Sequence, residues 1–104
     1  MTKKEYNGWT NYKTWLVKLW MDNDQGNYLF FREQAEQVIR EDGPYDKDSD
    51  HIRQLAAIIQ ESHEESLPKL EGFAADLMNA ALSEVNWEEI ANSLLEDAKE
   101  ALAD

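Results

Sequence analysis

Apolar side chains recur at helical spacing along the end of the chain, and this periodicity constrains the fold more than any other feature. Asn86, with Glu89 three residues later, has the pattern of a capping box, which starts many helices. The apolar positions that follow would share one helix face and need a core to cover them. They are Trp87, Ile90, Ala91, Leu94, Ala98 and Leu102. We therefore predict a C-terminal helix that packs against other helices.

Four segments upstream show the same spacing, and each predicts a further helix. The first is expected to begin at Thr10 or Asn11, because either side chain can cap the free amides of a helix. The apolar positions are Tyr12, Trp15, Leu16, Leu19 and Trp20 in the first; Tyr28, Phe31, Ala35, Val38 and Ile39 in the second; Ile52, Leu55, Ala56 and Ile59 in the third; and Leu70, Phe73, Ala74, Leu77 and Ala81 in the fourth.

Turn-forming residues separate these segments. Residues 23–27 supply a turn, Gly43–Pro44 end the second helix, residues 46–50 form a polar connection, and Ser66 with Pro68 marks a break. No run of alternating β-branched residues and no hairpin dipeptide is present in the sequence. We predict an all-α fold, a compact bundle of about five helices in one domain over residues 1–104. Residues 1–10 leave room for a short extended segment.

Composition narrows the function. The chain has no cysteine, so disulfides, thiolate nucleophiles and cysteine-ligated metals are excluded, and a reducing compartment is favoured. No stretch is long and apolar enough for a membrane span or a signal peptide, which predicts a cytoplasmic protein. Motifs for a serine nucleophile or a phosphate-binding loop are also missing. We expect a protein without cofactors that is not an enzyme.

Charge is distributed unevenly along the chain, whose formal net charge is −12. Residues 1–40 contain six Lys/Arg and five Asp/Glu, whereas residues 41–104 contain four and seventeen. Eight of the eleven aromatic residues lie within the first thirty-one positions. An excess of carboxylates argues against direct binding of nucleic acid or anionic membrane. It instead favours a basic partner.

Acidic side chains form rows on two of the predicted helices. Neighbouring carboxylates three or four residues apart repel each other and destabilise a helix by a few tenths of a kcal/mol per pair. Retaining such rows suggests a surface that resembles a nucleic-acid backbone, although a merely solubilising face explains them equally well. The candidate partner-binding residues are Glu61, Glu64, Glu65, Glu88, Glu89, Glu96, Asp97 and Glu100.

A metal site was weighed at residues 46–50. Asp46, Asp48 and Asp50 reproduce the opening of a calcium-binding loop, but His51 stands where that loop needs Gly and Ala57 stands where a Glu should close it. We assign no metal ligands there, and negative charge at a helix start is the simpler interpretation. His51 and the other histidine, His63, lie outside metal-binding spacings and are predicted to be polar surface residues.

The aromatic N-terminal segment offers a second kind of interaction surface. Trp15, Leu16 and Leu19 have the spacing of a core stripe. Trp9 and Trp20 fall off that stripe, so each is expected to cover a second surface or a partner, since tryptophan is a common interface anchor. Homo-oligomerisation or docking through this segment is therefore an alternative function.

Residues 7–24 resemble a pattern, W-T-N-x-x-T-W…L-W-x-x-N, of small uncharacterised proteins from bacteriophages and other mobile elements. The matching residues are Trp9, Asn11, Thr14, Trp15, Trp20 and Asn23. The resemblance implies a phage or mobile-element origin and carries no established activity, catalytic residue or cofactor. Small acidic proteins of such elements often resemble inhibitors of host restriction or CRISPR systems, an analogy of composition rather than motif.

Three hypotheses follow. The first is a non-catalytic anti-defence or regulatory protein, a nucleic-acid mimic that blocks a basic DNA- or RNA-binding site on a host protein such as a restriction or CRISPR component. The second is a structural module that docks or forms a homodimer through its aromatic N-terminal helix. The third is a metal-dependent site at residues 46–50.

Overall fold

The computed structural model describes residues 8–42 and 48–103 and contains five α-helices in those ranges. They are α1 (Tyr12–Asn23), α2 (Gln25–Asp42), α3 (Asp48–Ser66), α4 (Gly72–Ser83) and α5 (Trp87–Ala103). No strand occurs within the described residues. The predicted all-α bundle is confirmed. The expected exit of the second helix at Gly43–Pro44 lies outside the described residues.

Two polar residues set the ends of α1. The Asn11 side chain accepts a hydrogen bond of 2.9 Å from the backbone N–H of Thr14, which confirms a capped start at Asn11. Asp24 then ends α1 in an extended conformation, and its carboxylate accepts from the Asn27 N–H at 3.0 Å. Because Asp24 caps the next helix, α2 begins at Gln25. The turn predicted over residues 23–27 is confirmed in place but is shorter than expected, since Asp24 alone separates the two helices.

The core lies between α2, α3 and α5, which pack against one another. The stripe predicted for α5 is confirmed except at its end, where Leu102 is more than one-third exposed. The buried apolar residues are Met21, Phe31, Ala35, Val38, Leu55, Ala56, Ile59, Val85, Trp87, Ile90, Ala91, Leu94, Leu95 and Ala98. None of the described helices is both long and apolar enough to cross a membrane.

The stripe predicted for α1 is shifted by the packing. Thr14 and Met21 are buried, and Val17 packs against the core. These three positions are three and four residues apart and form one helix face. Trp15 and Leu16 are only half-buried, and Leu19 is exposed. The expectation that Trp15, Leu16 and Leu19 form a core stripe is therefore wrong.

The prediction that both histidines are surface residues is also wrong. His51 is only 2% exposed. It precedes Leu55 by one helical turn, so it lies on the face of α3 that enters the core. The His63 ring stacks on Phe31, with ring centroids 5.4 Å apart, and contacts Trp87 at 5.5 Å. His63 thus joins α2, α3 and α5 at one end of the bundle.

Helix α4 contradicts the sequence-based expectation most clearly. None of its residues is buried. The sequence predicts an apolar stripe of Leu70, Phe73, Ala74, Leu77 and Ala81, but Leu70 lies in the loop before the helix, and the other four residues are exposed or only partly buried. Phe73 is 81% exposed and Leu77 is 59% exposed. Leu82, near its C-terminal end, does pack on the core. The apolar periodicity of α4 is real, but the core does not cover it.

Candidate functional site

Three hydrogen bonds join the start of α1 to the α4–α5 connection and to the first turn of α5. The Asn11 Nδ2 donates to the Glu84 carbonyl at 2.8 Å. The Thr14 Oγ1 accepts from the Asn86 N–H at 2.9 Å. The Thr10 N–H donates to Glu89 Oε1 at 3.1 Å. Asn11 and Thr14 therefore stabilise the fold, which gives two residues of the W-T-N-x-x-T-W pattern a structural role.

Glu89 does not contribute to an exposed acidic row. Its carboxylate is turned toward residue 10, where it accepts the hydrogen bond from the Thr10 N–H. The residue is only partly exposed. Glu89 therefore lies apart from the exposed carboxylates of Glu96 and Glu100, because packing of the N-terminal segment against α5 draws its side chain inward. Asn86 caps this helix, since its Oδ1 accepts from the Glu89 N–H at 3.0 Å.

The other seven candidate carboxylates are exposed. We call them the acidic surface: Glu61, Glu64, Glu65, Glu88, Glu96, Asp97 and Glu100. None of the ion pairs that join two described residues includes any of them. The cations of those pairs bind Glu84, Asp22, Glu36 and Asp50 instead. These cations therefore neutralise carboxylates outside the acidic surface.

The α5 part of the acidic surface is a dense row. From Glu88 to Glu100 the helix rises about 18 Å at 1.5 Å per residue. Four exposed carboxylates over that length give about one charge per 4–6 Å, against one per about 3.4 Å along a DNA strand. They spread over about half of the helix circumference. Lys99 is the one basic residue of α5 and reduces the charge of this row.

The α3 part of the acidic surface occupies positions i, i+3 and i+4, which share one helix face. Glu61 and Glu65 line a depression of about 240 Å³ with Phe30 and Ile58, next to α2. Glu64 instead borders a depression shared with α4 and accepts a hydrogen bond from Gln60. The three α3 glutamates thus share a face but border different depressions, and α5 holds the longer row, with four carboxylates.

A cleft of about 530 Å³ opens where residues 10–11, α3 and the α4–α5 connection meet. Its polar lining includes Arg53, Gln60, Glu84, Asn86 and Glu88. Arg53 is paired with Asp50 at 2.8 Å, and Glu84 with Lys13 at 3.1 Å. Sequence reasoning missed this cleft. The one available signal was the spacing of Asn11 and Thr14 by one helical turn, which allows both to contact the same neighbouring segment.

The aromatic residues of the W-T-N-x-x-T-W…L-W-x-x-N pattern have different environments. Trp9 is half-buried and packs against the core. Trp15 is also half-buried, and its ring lies 5.6 Å from that of Tyr12. Trp20 is 69% exposed. Asn23 is the exposed last residue of α1. Of the tryptophans in the pattern, Trp20 is thus the one most accessible to a partner.

The candidate metal ligands Asp46, Asp48 and Asp50 do not all lie in a loop, because α3 begins at Asp48. Asp46 lies outside the described residues. Asp48 and Asp50 belong to the first turn of α3, and the Asp50 carboxylate is paired with Arg53. Within the part of the chain that the structure describes, no three His, Cys, Asp or Glu side chains are grouped as metal ligands would be.

The fold and the exposed carboxylates define a helical protein with a localised acidic surface. The chain belongs to DUF7249, a family of unknown function, whose sequence pattern matches residues 2–101. No curated protein and no solved structure matches the chain.

Proposed function

We propose that this protein is a non-catalytic nucleic-acid mimic of phage or mobile-element origin. In this proposal it acts in the bacterial cytoplasm, where its acidic surface occupies a basic DNA- or RNA-binding site. A component of a restriction or CRISPR system would be such a target. The origin is suggested by the resemblance of residues 7–24 to mobile-element proteins.

The exposed row on α5 is the observation that carries this proposal. Glu88, Glu96, Asp97 and Glu100 are all exposed, and the ion pairs between described residues leave them out. A basic groove that binds a DNA strand meets a comparable linear density of negative charge. We centre the proposed contact on Glu96, Asp97 and Glu100, which lie within five consecutive residues. Glu61, Glu64 and Glu65 would contribute to the long-range field that steers association.

The proposal is tested by capture from a bacterial lysate on the immobilised full-length chain. Wild type should retain basic nucleic-acid-binding proteins at low salt and release most of them at high salt, because screening weakens exposed charge pairs. Double-stranded DNA added as a competitor should release the same proteins. Mass spectrometry of the eluates identifies them.

A matched pair of variants separates this surface from total charge. The triple change Glu96→Lys, Asp97→Lys, Glu100→Lys should abolish capture. The control Glu33→Lys, Glu41→Lys, Glu71→Lys makes the same change in net charge at residues that are also exposed, and it should retain most of the captured protein. Equal losses in the two variants, or captured proteins that resist both salt and DNA, would contradict the mimicry proposal.

A second candidate function is docking through α1, favoured by the 69% exposure of Trp20. Exposed tryptophan is enriched among the residues that dominate binding energy at interfaces. Under this alternative, Trp20→Ala removes capture that persists at high salt, whereas Tyr12→Ala on the same helix, with Tyr12 46% exposed, leaves it. Capture unaffected by Trp20→Ala would exclude this function.

A further inference from the structure

Helix α4 has an uncovered apolar face in a chain that is otherwise highly charged. Phe73, Leu77 and Ala80 lie at positions i, i+4 and i+7, which share one helix face, and all three are exposed. An exposed phenylalanine presents roughly 150 Å² of surface, most of it apolar. Contiguous exposed apolar side chains of this kind, unlike singly scattered ones, often belong to an interaction site.

The opposite face of α4 is already used within the chain. Ala75, Met78 and Leu82 are partly buried, and they line a depression of about 380 Å³ together with Leu67 and Leu70 of the preceding loop. Leu82 also packs on the core. Helix α4 is therefore held in place by one face. Phe73 and Leu77 on the other face are not needed to attach it.

We propose that this outer face binds the same face of a second copy of the chain. In an antiparallel pair related by a twofold axis near Leu77, Phe73 of one copy meets Ala80 and Ala81 of the other. These positions are seven and eight residues apart, about 10–12 Å along the helix. A large side chain opposite small ones, repeated by the twofold axis, is the self-complementarity that a symmetric dimer needs.

Charge also favours a second copy at this face. Each chain has a net charge of −12, so two copies repel one another over most of their surfaces. Helix α4 carries one charged residue, Asp76. This makes it the helix with the fewest charges, so two copies meet less repulsion there than at the other helices. The two Asp76 carboxylates would lie at one edge of the pair, beside the twofold axis. A basic partner would find little to pair with on the same face.

The available area predicts a weak dimer. Phe73, Leu77 and the neighbouring alanines provide about 300–400 Å² per copy, or about 600–800 Å² in total, below the roughly 1,200–2,000 Å² of a stable complex. Dimer formation should therefore depend on protein concentration. It should also strengthen as salt rises, because salt screens the repulsion between the two acidic chains. Binding to a basic partner has the opposite salt dependence.

Sedimentation velocity from micromolar to near-millimolar concentration, at low and high salt, tests the dimer. Leu77→Ser should weaken self-association by about tenfold or more. Leu29→Ser is the matched control, because Leu29 is 52% exposed and Leu77 is 59% exposed, and it should leave association unchanged. Circular dichroism should show the same helix content in both variants, since neither side chain is buried.

Cross-linking provides a second readout that needs no loss of binding. The chain has no cysteine, so Leu77→Cys introduces a single thiol beside the proposed twofold axis. Mild oxidation should convert this variant to a covalent dimer much faster than Leu29→Cys. A chain that stays monomeric at near-millimolar concentration in high salt would overturn the dimer, as would equal effects at positions 77 and 29. The dimer would also be overturned if the chain stayed monomeric and a captured bacterial protein bound over Phe73 instead. None of these results bears on the acidic surface, whose binding weakens with salt.

Discussion

The hydroxyl of Thr14 accepts a hydrogen bond of 2.9 Å from the backbone N–H of Asn86, seventy-two residues away. Thr14 is fully buried, and the hydrogen bond itself is partly buried. The bond connects the first turn of α1 to the residue that caps α5. Residues 10–14 thus contact the start of α5, although the two segments are far apart in the sequence.

We expect Thr14→Val to lower the free energy of unfolding by about 1–3 kcal/mol, because the Asn86 N–H loses its acceptor at a partly buried position. The melting temperature should fall by about 4–8 °C per kcal/mol. Thr10→Val is the matched control, since Thr10 is exposed and bonds Glu89 through its backbone. Urea denaturation of both variants measures the difference. Equal stability of Thr14→Val and wild type would show that this bond contributes little.

Two substitutions at Asn11 separate its local role from its long-range role. Asn11→Ala removes both the cap of α1 and the bond to the Glu84 carbonyl, and should cost about 1–2 kcal/mol or more. Asn11→Asp keeps an acceptor for the Thr14 N–H but loses the donor to Glu84. Thermal melts should therefore place Asn11→Asp between wild type and Asn11→Ala. If Asn11→Asp matches wild type, the bond to Glu84 is dispensable.

The adjacent residues Phe30 and Phe31 should differ sharply on truncation. Phe31 is 2% exposed and stacks on His63, whereas Phe30 is 44% exposed. Phe31→Ala leaves a cavity at the junction of α2, α3 and α5 and should cost about 3–5 kcal/mol. Phe30→Ala should cost clearly less, because much of its ring already contacts water. Chemical denaturation compares them, and similar losses would mean that the burial of Phe31 is not what stabilises this junction.

Stability should rise with salt and with removal of charge from α5. Glu96 and Glu100 are four residues apart and both exposed, so Glu100→Gln should stabilise the fold by about 0.2–0.5 kcal/mol at low salt. Glu36→Gln should do the reverse, because Glu36 pairs with Arg32 and Arg40 at 3.5 and 3.6 Å. Melting temperatures at low and high salt test both. If the gain from Glu100→Gln persists at high salt, charge repulsion is not its cause.

The sequence predicts where the helices lie better than it predicts which surfaces they contact. Capping at Asn11 and the apolar stripe of α5 are local patterns, and both are confirmed. The apolar periodicity of α4 also predicts a helix, and this is confirmed. Periodicity alone, however, does not determine which surface covers Phe73 and Leu77. The inward turn of Glu89 depends on where Thr10 lies, which is a long-range relationship. No spacing within one helix contains that information.

Helix α4 and the loop before it form an excursion from the end of α3. Glu64 and Leu82 border the same depression, so the chain returns close to where it left α3. Connections of two to eight residues commonly join neighbouring helices, and one of that length would span this gap. Residues 67–83 can therefore be regarded as an outgrowth grafted onto an α3–α5 hairpin. Apart from the partly buried positions such as Leu82, the side chains of this segment are not constrained by the core of the chain.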